Sequence, residues 1–136
     1  MPRLTAVLLF LATSTLARAD VDPGNWEFTM TTTVEGMPGN VGPVTQTRCL
    51  SAEDARDPSR VLGPAGGSAC EFSNRNDTGT VFSFEISCSG QLPMRGSGTV
   101  RYSANTMNAD VQLSASGAQN FVTRSNISAR RLGPCS

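Results

Sequence analysis

Apolar and polar residues alternate with a period of two along almost the whole chain. Trp26, Phe28, Met30, Thr32 and Val34 fall on one face, and Glu27, Thr29, Thr31, Thr33 and Glu35 on the other, which is the pattern of a half-buried strand. Gly36-Met37-Pro38-Gly39 interrupts it, and residues 44–49 read as the return strand of a hairpin. Ser51-Ala52-Glu53-Asp54 then signals a helix start, with Ser51 placed to cap the amide of Asp54 and acidic residues in the first turn. Asp57-Pro58 should end that helix within about two turns. A glycine-rich connector over 63–67 follows; it lacks the lysine and hydroxyl of a phosphate loop and opens no helix. Alternation resumes in strands predicted over 70–74, 80–88, 96–103, 107–114 and 119–131, with turns at 76–79, 104–106 and 115–118.

About seven short strands separated by turns predict a mainly β domain, an antiparallel meander curling toward a barrel or half-barrel, with one short helix after Cys49. Apolar residues occupy a single face of each strand. The other face, rich in Ser and Thr, is what a wet sheet surface requires.

The N-terminus departs from this pattern. Arg3, an apolar run over 6–16 and the small-x-small site Ala17-Arg18-Ala19 read as a cleavable signal peptide over 1–19. The exported domain is then residues 20–136. The apolar run is shorter than the roughly 20 residues that span a bilayer, and no comparable run follows, so no membrane span is expected. Without Arg3 and Arg18 the exported chain carries two more acidic than basic residues. That balance offers no footprint for nucleic acid.

The chain has no His, and all of its basic residues are Arg. This excludes Ser-His-Asp and Cys-His catalysis, lysine Schiff bases and histidine metal sites. An enzyme would need paired carboxylates, for which Glu27, Glu71 and Glu85 are the strand candidates; all three fall on polar faces, where a solvated surface explains them. Met37 and Met94 stand beside prolines, and thioethers suit Cu(I), but two methionines without His or free Cys make a poor site. Asp77 and Asp110 lie in no calcium-loop pattern. No metal and no cofactor is expected, and the reading is non-enzymatic.

Four cysteines, Cys49, Cys70, Cys88 and Cys135, show no C-x-x-C pairing, and in an exported chain they predict two disulfides. Of the three connectivities, Cys49–Cys70 would close the helical excursion and Cys88–Cys135 would pin the last strand; that pair is favoured.

An ordered set of short motifs runs along the chain: Pro23-Gly24-Asn25-Trp26-Glu27, Met37-Pro38, Cys49-Leu50 before an acidic helix, and the lone Cys70. Cys88-Ser89-Gly90, Met94 with Gly96 and Gly98, and Arg130-Arg131-Leu132-Gly133-Pro134-Cys135 complete it. In this the chain resembles a family of small exported bacterial proteins described as a domain of unknown function. The resemblance implies a Gram-negative periplasmic location and a β-rich fold, and carries no catalytic residue.

Two functional readings follow. In the first, a β cup binds a small apolar ligand or a hydrophobic segment of an envelope protein, lined by Trp26, Phe28, Phe82, Phe84, Tyr102 and Phe121; the competing account is that these aromatics fill the core. In the second, an interaction or inhibitor module uses edge strands and the Met-Pro loops.

Overall fold

The computed structural model describes residues 21–61, 70–115, 117 and 120–136. The leader with its cleavage site, the 63–67 connector and part of the 115–118 turn lie outside the described residues.

All seven predicted strands form: β1 (Gly24–Val34), β2 (Asn40–Leu50), β3 (Cys70–Asp77), β4 (Val81–Cys88), β5 (Met94–Tyr102), β6 (Thr106–Ala115) and β7 (Phe121–Gly133). They build one antiparallel sheet in the order β2-β1-β7-β6-β5-β4-β3. From β3 to β7 the chain is a plain meander. The β1–β2 hairpin joins it through β1, which pairs along β7 from Asn25↔Gly133 to Val34↔Thr123. The sheet remains open, with β2 and β3 as its two edges, so the curl stops short of a barrel.

This order corrects the expected disulfides. Cys49 lies on β2 and Cys70 on β3, opposite edges of the sheet. Six strand spacings of about 4.8 Å separate those edges along the sheet, whereas bridged Cα atoms stand within about 7 Å. The bonds are Cys49–Cys135 and Cys70–Cys88. The first ties the C-terminal tail beyond β7 across the start of β1 to edge strand β2. The second joins directly opposed residues of β3 and β4. For separations of 86 and 18 residues, the chain-entropy model assigns about 4.6 and about 3.2 kcal/mol respectively.

After β2 the chain enters two short helices that pack onto the apolar face, and the sequence explains them. Ser51 caps α1 (Ala52–Ala55) with a complete capping box: its hydroxyl accepts from the Asp54 amide at 3.1 Å, and the Asp54 carboxylate accepts from the Ser51 hydroxyl at 2.9 Å and from its amide. These bonds, the hydroxyl's first, hold the Asp54 carboxyl below its ordinary value. A second helix follows that the sequence did not announce. Asp57 ends α1 as expected, but its Oδ1 then accepts from the Ser59 amide at 3.0 Å, and α2 (Pro58–Val61) opens on the proline, a favoured residue in a helix's first turn.

Two arginines fasten this excursion, one from each edge. Arg48 of β2 stacks over the Phe28 ring at 5.2 Å and donates to the carbonyls of Arg60 and Val61 at the end of α2. Arg75 of β3 lies over Phe72 at 5.6 Å and faces Asp57 at 3.7 Å. Ala55 and Val61 thereby join the core with Trp26, Phe28, Phe82, Phe84, Val100, Tyr102, Met107 and Ala109. Trp26 is wholly buried, its indole N–H donating to the Asp22 carbonyl at 2.9 Å. The cover is partial. Further along the same face Met30 is exposed, and Thr32, Val34, Val111 and Leu113 are half-buried.

Candidate functional site

The opposite face of the sheet is mostly polar, with Val81, Val122 and Leu132 as its apolar exceptions. The strand registers align its side chains in rows across the sheet. One row runs Thr31–Asn126–Asp110–Thr99–Ser83 from β1 to β4, and the next runs Thr33–Arg124–Gln112–Ser97. Between them passes the row Ser125–Val111–Gly98–Phe84, whose side chains, by the period of two, point to the core. These three rows line a cavity of about 600 Å³. The cavity is open to solvent and spans five successive strands, a shallow trough on the polar side of the sheet. Its volume falls within the usual range of small-molecule sites.

The trough's chemistry is hydroxyl and amide. Asn126 donates to Asp110 Oδ1 at 2.8 Å, and Arg101 stands 3.7 Å from the other carboxylate oxygen, so the Asp110 charge is already matched. Arg124 is exposed, and among the described residues its guanidinium has no hydrogen-bonding or ion-pair partner. Beyond the trough, Arg130 donates to Glu27 at 2.9 Å. Every hydroxyl and amide here is both donor and acceptor, and Phe84 and Val111 of the middle row also line the space.

Gly98 shapes the floor from the other side. A Cβ there would stand 2.3 Å from the Phe84 ring, so the glycine lets that ring lie flat on β5. Gly96 is tighter still, with the Gln112 carbonyl 1.8 Å from where a Cβ would sit.

The six aromatics expected to line an apolar cup separate. Trp26, Phe28, Phe82, Phe84 and Tyr102 are buried in the core, with Phe82 and Phe84 stacked at 5.4 Å and Phe72 edge-on to Phe84 at 5.0 Å. The Tyr102 hydroxyl donates to Asp77 Oδ1 at 2.6 Å, and the same oxygen accepts from the Gly79 amide at 2.8 Å, which fixes the β3–β4 turn. Phe121 is half-buried at the far end of the apolar face. There it lines a second cavity of about 580 Å³ with Val34, Glu35, Gly36, Met37 and Asn120.

The other candidates are dispersed. Glu27 on β1 and Glu85 on β4 have β7, β6 and β5 between them, and Glu85 accepts from Asn74 at 2.6 Å. Glu71 is diagonal to Glu85 on β3 and exposed. Met37 lies in the hairpin loop, whereas Met94 opens β5 opposite Cys88. Among the described residues no three His, Cys, Asp or Glu gather in a way that could hold a metal ion, and no helix is long and apolar enough to cross a membrane.

The trough is not legible in the sequence because alternation says which residues leave the core, not which residues of different strands align. One signal was present: apart from Asp110 and Arg124 the two rows carry hydroxyls and amides rather than the charges that usually cover a solvated sheet.

The described residues define an open, disulfide-braced antiparallel sheet with one face partly covered by two short helices and the other bearing a polar trough. A family model described as "Protein of unknown function (DUF3617)" matches residues 21–135, and the chain belongs to that family. No curated protein and no solved structure matches it.

Proposed function

We propose that the protein is an exported, periplasmic, non-enzymatic binding protein that holds a small polar ligand in the trough. The observation that carries this reading is the 600 Å³ cavity spanning five strands and lined by hydroxyl and amide groups. The two disulfides suit an oxidising compartment, and the leader expected over 1–19 supports export. A binding role fits side chains that offer hydrogen bonds but no nucleophile paired with a base.

Native mass spectrometry of the oxidised protein, purified gently from its own envelope, tests the proposal. The result expected is a reproducible small-molecule mass released on denaturation and lost in Ser97→Trp, which fills the trough from its solvent-facing side. A bare mass, or an adduct indifferent to Ser97→Trp, would overturn it.

A second reading rests on a separate observation. The cavity at Phe121 and Met37 adjoins exposed apolar residues of the hairpin: Met37 is 66% exposed, Val41 64% and Val44 51%. An apolar ligand or an apolar segment of an envelope protein would dock there, using the hairpin loop and edge strand β2. An adduct lost in Met37→Asp but kept in Ser97→Trp would assign binding to this end.

A further inference from the structure

The trough's own chemistry narrows its ligand, on the reading that the trough is the binding site. Its side chains Thr31, Thr33, Ser97, Thr99, Gln112 and Asn126 each offer both a donor and an acceptor. They match a ligand whose groups are likewise both, namely sugar hydroxyls and acetamido groups. A peptide is a poorer match. The backbones lining the trough are already paired on both sides within the sheet, which leaves no ladder for a peptide to join.

The charges add polarity to this frame. Asp110 accepts a hydrogen bond from Asn126 and pairs with Arg101 at 3.7 Å. Arg124, in the neighbouring row on β7, is the unpaired charge within the trough among the described residues. A guanidinium binds a carboxylate through two parallel hydrogen bonds, which adds geometric selectivity to charge attraction. The trough crosses five strands, about 19 Å at 4.8 Å per spacing, which is room for several sugar rings in an extended chain.

We infer that the trough binds an acidic oligosaccharide, with its hydroxyl and acetamido groups along the two polar rows and one carboxylate seated on Arg124. With Phe84 buried the ring faces gain little stacking, so binding is weak and the carboxylate contact dominates selectivity.

Amide chemical shifts of the oxidised protein, followed during titration to millimolar ligand, test this. The probes are a tetrasaccharide alternating N-acetylglucosamine with glucuronic acid, and the neutral N-acetylglucosamine tetramer. The acidic probe is expected to shift Thr31, Ser97, Thr99, Gln112 and Arg124, and to bind at least about tenfold more tightly than the neutral one. Arg124→Gln should erase that preference, and Arg124→Lys should restore only part of it, because lysine keeps the charge but loses the fork. Arg124 is exposed, so both variants fold; an unchanged spectrum outside the trough checks this. Equal binding of the two probes, or a preference that survives Arg124→Gln, overturns the inference while leaving the trough as a binding site. No shift with either probe overturns the saccharide assignment and leaves the native-mass result to decide the trough. Shifts confined to Met37 and Phe121 overturn both.

Discussion

The two faces of this sheet are made by the same strands from alternate residues, yet they do opposite work. On one face Trp26, Val100, Met107 and Ala109 are buried in a core that Ala55 and Val61 of the two helices join, and Arg48 and Arg75 fasten that helical segment from the edges. On the other, no side chain of the two polar rows is buried, and the rows border a trough. An open sheet with a single apolar face needs only one cover. The second face is then free of the core's packing demands and can be specialised for binding. Stability should therefore reside on one face and function on the other.

The largest expected contrast sets Trp26→Ala against Thr99→Ala. Removing a wholly buried indole should cost about 3–5 kcal/mol in denaturant unfolding, whereas the polar-face change should stay within about 0.5 kcal/mol. Comparable losses would break the division between the faces. Adjacent positions on β5 sharpen it. Gly98→Ala forces a methyl into the Phe84 ring and should cost about 1–3 kcal/mol, although its neighbour Thr99 tolerates the same residue. Tyr102→Phe removes the donor to Asp77 and should cost about 1–2 kcal/mol, with tryptic cleavage after Arg75, next to the β3–β4 turn, quickening first. Urea curves with limited trypsin digestion measure both effects.

The smallest effect concerns pH. The Asp54 carboxyl is held below its unfolded value by Ser51, so on acidification the unfolded chain takes up the proton first. The contribution is full above the unfolded value near pH 4 and is lost as pH falls through the depressed folded value. Asp54→Asn should thus lower the melting temperature slightly at neutral pH and by less as the pH approaches 3. An undiminished difference at pH 3 would contradict the capping-box account.

How far the sequence carries follows from what each feature depends on. Alternation is local, so all seven strands and the inward set from Trp26 to Ile127 were legible in it. The Ser51 cap was legible too, since it needs only four residues. The pairing of β1 with β7 depends on strands nearly a hundred residues apart, and the disulfides depend on that pairing. Once β1 docks on β7, β2 and β3 become opposite edges and Cys49 must find Cys135. The trough depends on the registers of five strands, which no single strand encodes. Thr31 and Thr99 therefore looked like ordinary solvated surface until the registers placed them in one row.

The most direct measurement is amide-shift mapping of the oxidised protein against the small-molecule fraction of its own envelope. Shifts gathered at Thr31, Thr99, Gln112 and Arg124, with Trp26 and Val100 unmoved, are the result expected. Shifts gathered instead around Met37, Val44 and Phe121, or none anywhere, would contradict the assignment of function to the polar face.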